Sequence, residues 1–528
     1  MVAPSDPSLI ASALSRAGHG PLPGEAAAIA ALGWRRWVDE QLAMPVGDDA
    51  STSARLAALR LRLRHGAAPD GAWAAMDEMR PLDTLGQPIE ALWPLMGGKM
   101  KMDAALRRRP REEAIAATIV RAVHSERQLR EIMAGFWHDH FNVDFFQSDQ
   151  LAVTLPVYDR EAIRPQVLGN FRHMLEAVAT SPAMLIYLSN RSSRAGAANE
   201  NYARELFELH TLGRDAYLND RYDRWRDVPG AAQGRPTGYI DQDVYEAARA
   251  FTGWTIEDGA GVDGKRKLGE TGRFSYVEAW HDGYQKRVLA TEFQPFAAPQ
   301  ADGHQVLDLV AAHPATARHL AGKLVHRFVG SRPEALVGQA AAEWGKAVAA
   351  PDQIARVVRL ILLSPEFMAA KGARLRRPLA LAAAFARATA IDLQPTEGLI
   401  GALAGAGQRL FGWPTPTGLP DDDGQFLGTQ ALRARWALLL GLAENWWGTG
   451  LAASPPTLRA APPTARSAVI AWADPLGISD RPDIAQAVLD GLGWPADQPL
   501  GRPGAPDTER KLARIAALCA MAPAFQTA

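Results

Sequence analysis

The sequence predicts an all-α protein of packed helical hairpins, with a small β-hairpin around 272–290. Three observations carry this. Apolar residues recur at three- and four-residue spacing along most of the 528 residues. A proline joint follows an apolar run at four places. Alternating strand pattern is confined to one short region. The first point is clearest at Leu129, Ile132, Met133, Phe136, Trp137, His140 and Phe141, which form one stripe on a helix. Residues 303–330, 353–364, 378–391, 429–446 and 507–520 read the same way.

The joints are Thr180-Ser-Pro-Ala-Met184, Ala312-His-Pro-Ala315, Leu363-Ser-Pro-Glu-Phe367 and Met521-Ala-Pro-Ala-Phe525. Proline suits the first position of a new helix because the missing N–H would have had no partner there, and a small polar residue before it can cap. Gly272-Arg-Phe-Ser-Tyr-Val277 and Lys286-Arg-Val-Leu289, around the turn pair Asp282-Gly283, are expected to form the hairpin. Residues 214–240 and 257–302 are long connections, and long ordered loops are often functional. Trp413-Pro-Thr-Pro-Thr-Gly-Leu-Pro-Asp-Asp-Asp-Gly424 is dense in turn formers and acids. Residues 1–450 are expected to form a helical domain with a subdomain boundary near 214–300. A proline-rich linker, 451–466, then leads to a C-terminal helical region, 467–528.

With 57 basic and 58 acidic residues the formal charge is −1, which gives no electrostatic reason to expect nucleic acid or an anionic membrane. The short basic runs Arg107-Arg-Arg-Pro-Arg111 and Arg374-Leu-Arg-Arg377 read as solvated faces. A single cysteine, Cys519, excludes an intrachain disulfide and a cysteine metal site, and its apolar helical setting predicts an inert thiol. No signal peptide opens the sequence and no apolar run is long enough to span a membrane, so the chain as written is expected in the cytoplasm.

The candidate chemistry lies in four places. His138 and His140 stand about 200° apart on a helix and cannot share a face there; only an extended segment after Trp137 would bring both to one metal. On a helix, His140 should point inward and His138 toward the surface. From Asn199 to Gly213 a second helix is expected, with Asn199 as N-cap, Glu200 in the positive first turn and Gly213 just past the end. Glu200, Arg204 and Glu208 would form an ion-pair ladder. Glu205 and Glu208, three apart, can reach one point, as metal ligands or a paired acid and base would. His210, in the last turn, would be favoured as imidazolium beside helix carbonyls. In the 241–254 helix, Asp241 is the expected cap, Glu246 and Arg249 face each other, and Gly253 terminates. His281-Asp282 lies in the expected hairpin, where a loop histidine beside an acid is a shuttle or ligand candidate. His319 and His326 share a helix face, but Lys323 between them argues against metal. Nucleotide-binding, zinc-peptidase and serine-hydrolase signatures are absent from the sequence, and Asp421-Asp-Asp-Gly424 lacks the spaced ligands of a calcium loop.

Phe136-Trp-His-Asp-His-Phe141 and Asn199-Glu-Asn-Tyr-Ala-Arg-Glu-Leu-Phe-Glu-Leu-His-Thr-Leu-Gly213 resemble core motifs of the bacterial family called domain of unknown function 1800. The likeness runs from Arg16-Ala-Gly-His-Gly-Pro-Leu-Pro-Gly-Glu25 and Trp34-Arg-Arg-Trp37 through Asp241–Trp254 and His313-Pro-Ala-Thr-Ala-Arg318. It continues through Lys323-Leu324, Arg327-Phe328 and Leu363–Phe367 to about residue 450. Gly412-Trp-Pro414 resembles a late family element, but Thr415-Pro416 and the acids that follow depart from it. The resemblance implies a family and no reaction. It also implies that an export signal upstream of the written start is the alternative to a cytoplasmic location.

Two functions stay open. One is a hydrolase-type enzyme gathering His138, His140, Glu205 and Glu208, joined for a divalent metal by His210 and His281, or working by acid–base chemistry on a polysaccharide-like substrate. The other is a non-catalytic helical binding or assembly protein. In that reading the charges around Asn199, Glu200, Arg204, Gly213, Glu246 and Arg249 serve the fold as buried ion pairs, and a protein partner is compatible with the 15 tryptophans.

Overall fold

The structure is a computed structural model describing residues 6–96, 101–421, 423–459, 461–479 and 481–528. Met1–Ser5, part of the segment read for a leader, and Asp422 of the acidic run lie outside the described residues. Among those described, helices follow one another along the whole chain and strands form three two-stranded antiparallel sheets. None of these helices is long and apolar enough to cross a membrane.

The proline joints are built by their preceding residues. Ser181 and Ser364 accept hydrogen bonds from the backbone N–H groups of Met184 and Phe367, opening helices Pro182–Tyr187 and Pro365–Ala369. His313 does the same for Ala315 at the start of Pro314–Val329, while its other ring nitrogen bonds the Pro236 carbonyl at 2.9 Å. Ala522, with no side-chain acceptor, leaves Pro523–Gln526 uncapped.

Two large apolar clusters organise the helices. One runs from Ile10 to Phe367; the other joins Ile115–Val123 to residues 381–525. Helices Ala465–Ala473, Pro482–Leu492 and Pro506–Ala520 therefore share a core with Pro378–Ala388 and Thr429–Ala443. Between the clusters lies the long helix Ala104–His124, buried on several faces at once. That position overturns the solvated reading of its basic run at Arg109 and Arg111, while Arg108 stays exposed. Arg109 is buried and pairs with Glu113 at 2.6 Å, and Arg111 lies 3.7 Å over the Phe146 ring. Trp137 is fully buried, with its indole N–H on the Val167 carbonyl at 3.0 Å; truncating such a side chain to alanine costs about 3–5 kcal/mol. Cys519 is buried too, and burial pushes its thiol up to about 12.

Both predicted strand segments are strands, with different partners. β4 (Glu270–Tyr276) pairs with β3 (Trp254–Asp258), and β5 (Lys286–Val288) forms a tight hairpin with β6 (Thr291–Phe293). Asp282-Gly283 is consequently a bend between two sheets. Its aspartate is held by Arg249, which crosses over from helix Asp241–Ala250 at 2.8 Å. A further pair, β1 (Arg60–His65) with β2 (Met76–Pro81), lies outside the one region where strand was expected.

Candidate functional site

Helix Gln128–His140 continues through both histidines, so their side chains leave it in different directions. His138 is 9% exposed rather than at the surface, and its Nε2 is 2.8 Å from Asp159. Arg164 binds Asp159 at 2.7 Å and both Glu131 oxygens at 3.0 Å. Burial works against the Asp159 charge, but Arg164 and the His138 bond hold it well below the ordinary carboxylate range.

His140 points inward, as its place in the stripe requires. Its Nε2 is 3.0 Å from the His210 carbonyl, which can only accept, so Nε2 carries the proton and Nδ1 is bare. Lys323 Nζ donates to that Nδ1 at 3.0 Å. Burial, with Lys323 next in effect, pushes His140 well below its usual range and His210 down to about 3; both are neutral. The expected imidazolium at His210 is thus overturned. It is fully buried, and neither ring nitrogen has a hydrogen-bond partner among the described residues.

Helix Pro314–Val329 supplies His319, Lys323 and Arg327 at four-residue intervals along one ridge, of which Lys323 and Arg327 face the same cavity. Opposite it, the segment before helix Pro378–Ala388 brings Arg374 and Arg377, both expected at the surface and both buried or nearly so. Arg377 pairs with Asp139 and reaches Asp421 at 3.4 Å; Arg374 lies 4.0 Å from Asp421. Burial raises the Asp139 carboxyl, with Arg377 opposing.

Residues 411–421 are strapped over the end of the 128–140 helix. Asn142 donates to the Trp413 and Thr415 carbonyls at 2.9 and 2.8 Å, and the Tyr187 hydroxyl to the Pro414 carbonyl at 3.0 Å. Gly418 has φ +73°, and a Cβ there would lie 1.9 Å from the Asp139 carbonyl oxygen, so only glycine lets the strap come this close.

These elements enclose a cavity of about 330 Å³ whose walls include His138, His140, Lys323, Arg327, Arg377 and Asp421. Binding cavities run from about 300 to 1,000 Å³, so this one fits a small molecule. Its charge is unbalanced. Asp139 and Asp421 lie within ion-pair distance of Arg374 or Arg377 and act on Lys323 and Arg327 from further off. Among the described residues no carboxylate lies within ion-pair distance of Lys323 or Arg327, and the Arg327 guanidinium makes no hydrogen bond. Burial, reinforced by Arg374 and Arg377, lowers Arg327 to about 9, still a cation at neutral pH. A larger cleft of about 1020 Å³ lies beyond His319, but its Arg318 and Glu334 pair with each other at 2.7 Å.

The remaining predicted residues lie elsewhere. Asn199 caps Glu200–Glu205, accepting from the Asn201 N–H, and Arg204 bridges Glu200 at 3.0 Å and Asp241 at 3.3 Å. The ladder stops there, because Leu206–His210 winds as a π-helical turn and Glu208 instead meets Arg214 at 2.5 Å. Gly213 has φ +88° and packs against the His319 ring. Asp241 is not the cap; Asp243 takes the Ile240 N–H at 2.9 Å, while Asp241 accepts from the Tyr217 hydroxyl at 2.7 Å. Glu246 and Arg249 pair at 2.6 Å. His281 is 3.4 Å from Asp302, which also holds the buried Lys286 at 2.7 Å. Glu205 is half-buried without a hydrogen bond among the described residues, and burial, then Glu208, raises its carboxyl. The two histidines and two glutamates are therefore not gathered. Among the described residues no group of three or more His, Cys, Asp or Glu could hold a metal ion.

A family model described as Protein of unknown function (DUF1800) matches residues 12–527. The chain belongs to this family. No curated protein and no solved structure matches it. The DUF1800 match spans both apolar clusters and nearly the whole cavity wall, and it extends past residue 450 through the C-terminal helices.

Proposed function

We propose that this chain is a helical binding protein whose cavity holds a small oxyanion-bearing molecule. The observation that carries the proposal is that Lys323 and Arg327 stand on the cavity wall with no carboxylate within ion-pair distance among the described residues, Asp139 and Asp421 acting on them only from further off. Burying an unpaired charge costs several kcal/mol, and a bound carboxylate or phosphate would offset that cost by completing the pairing. The motif charges support the same reading. His138 with Asp159, Glu200 with Arg204, Glu208 with Arg214 and Glu246 with Arg249 are spent on ion pairs. The test is thermal stability of the full chain against inorganic phosphate and malonate at constant ionic strength. Saturable stabilisation that Lys323→Met and Arg327→Met both abolish is expected. No stabilisation by either anion overturns the proposal.

Glu205 favours a second reading, acid–base hydrolysis of a sugar-like polymer. Its half-buried, raised and unbonded carboxyl has the environment of a general acid. Glu205→Gln should then abolish release of reducing ends while changing stability by no more than about 0.5 kcal/mol. Unchanged activity removes this reading. Its divalent-metal version draws no support from the positions of the six candidate ligands.

A further inference from the structure

Among the described residues two lysines lie deep in the fold, and they are treated differently. Lys286 is fully enclosed, and its Nζ donates to the Asp302 carboxylate at 2.7 Å, the Tyr284 carbonyl at 2.8 Å and the Asp282 carbonyl. That is the set of three acceptors an ammonium requires. Lys323 lines the cavity, and among the described residues its Nζ has one hydrogen-bond partner, a nitrogen lone pair on His140. That single partner leaves the other N–H groups of the resting ammonium for a bound anion, and loss of one proton to cavity water when a carbonyl compound enters frees the lone pair for chemistry. Burial is the main influence pushing Lys323 below its usual range. Asp421 and Asp139 oppose it, and Arg332 and Arg377 reinforce it. A lysine beside other cations in a secluded site is a recognised form of activated nitrogen nucleophile.

We propose that Lys323 captures a carbonyl compound as an imine, and that the compound is a small oxo acid whose carboxylate sits on Arg327, one turn further along the same helix. This rests on the anion-binding reading of the cavity. The amine lone pair attacks the carbonyl carbon, forming the C–N bond while the C=O π pair moves to oxygen. That oxygen takes up a proton as nitrogen releases one, through cavity water. The hydroxyl then leaves as water and the C=N bond closes. One amine and one carbonyl give one imine and one water, with no oxidant or reductant.

The test is reductive trapping on the full chain with glyoxylate and sodium borohydride, read by intact mass and peptide mapping. Borohydride delivers hydride to the imine carbon and makes the link permanent. One adduct per chain is expected, on the peptide carrying Lys323, absent in Lys323→Arg, and suppressed about tenfold or more by saturating phosphate. Adducts spread over exposed lysines such as Lys101 and Lys346, with Lys323 unmodified, overturn the proposal. If phosphate still stabilises that same preparation, the imine falls and the anion reading stands; if phosphate has no effect either, both fall. Arg327→Met provides the internal control. It should lower trapping of glyoxylate about tenfold and leave trapping of neutral propionaldehyde within about twofold. Equal loss for both removes Arg327 as the anchor.

Discussion

Arg327→Met separates a guanidinium kept for a ligand from one kept for the fold. Methionine retains most of the aliphatic stem and removes the charge. In the folded chain burial, with Arg374 and Arg377, brings the guanidinium from 12.5 to about 9. At about 1.36 kcal/mol per pH unit, the charged form bears a burden of about 5 kcal/mol. Cavity solvent and the high effective dielectric of such sites reduce this to about 1–3 kcal/mol, and the loss of stem packing costs less than about 1.5 kcal/mol. The ligand-free variant should therefore match the wild type or exceed it by up to about 2 kcal/mol. Unfolding entropy of about 2.1 cal/mol/K per residue gives about 1.1 kcal/mol/K for 528 residues, so Tm should rise by zero to about 2 K. Phosphate at a hundred times Kd should add about 2.7 kcal/mol to the wild type, or about 2–3 K, and nothing to the variant. Differential scanning calorimetry at pH 7.5, with and without phosphate and with chloride balancing ionic strength, reads both halves. A fall of more than about 3 K in ligand-free Arg327→Met, or an undiminished phosphate response, refutes the reasoning.

Three further outcomes follow from the same geometry. His210 is held neutral to about 3 in the fold and takes a proton near 6.5 when unfolded, so stability is lost as pH falls from 6.5 toward 3. That share is about 2 kcal/mol at pH 5, and His210→Leu should lose about 2 kcal/mol less than wild type between pH 7.5 and 5 in urea titrations; parallel pH profiles would sink the assignment. Asp159→Asn leaves Arg164 and His138 short of their partner and should cost about 3–5 kcal/mol, or about 3–5 K, with the phosphate response intact. A loss under about 1 kcal/mol would mean that the network is structurally idle. Gly418→Ala forces a Cβ against the Asp139 carbonyl at a positive φ, a strain of about 1–3 kcal/mol. Helix content by circular dichroism should hold while phosphate affinity falls about tenfold; unchanged affinity would show that the strap does not shape the cavity.

The fold was legible where its causes are local. Serine before proline, asparagine before a helix and the stripe from Leu129 to Phe141 each act within one turn of chain, and each does what its chemistry suggests. The errors arise where a distant partner decides. Residues 272–277 had the pattern of a strand, but the register belongs to Trp254–Asp258, whose buried faces carry no alternating signature. The π-helical turn at Leu206–His210 is equally invisible to spacing rules. It breaks the expected ladder by sending Glu208 to Arg214.

The site was misread for a related reason. Lys323 and Arg327 stand one turn apart in the 314–329 helix, but a lysine between two histidines argues only against a metal site. A cation on an apolar stripe has two physical outcomes: it snorkels to water, or it enters the interior because something there compensates it. Spacing cannot choose between them, since the choice depends on Arg374, Arg377, Asp139 and Asp421, which arrive from other parts of the chain. Once those four are in place, Asp139 and Asp421 lie within ion-pair distance of Arg374 and Arg377, and Lys323 and Arg327 on the same cavity wall have no carboxylate that close among the described residues. Two buried cations without a carboxylate at ion-pair distance are costly to a fold that has no use for them, whereas a bound anion would complete their pairing. The lysine that argued against a metal site in the sequence is therefore, with Arg327, the strongest reason for assigning this cavity a negatively charged ligand.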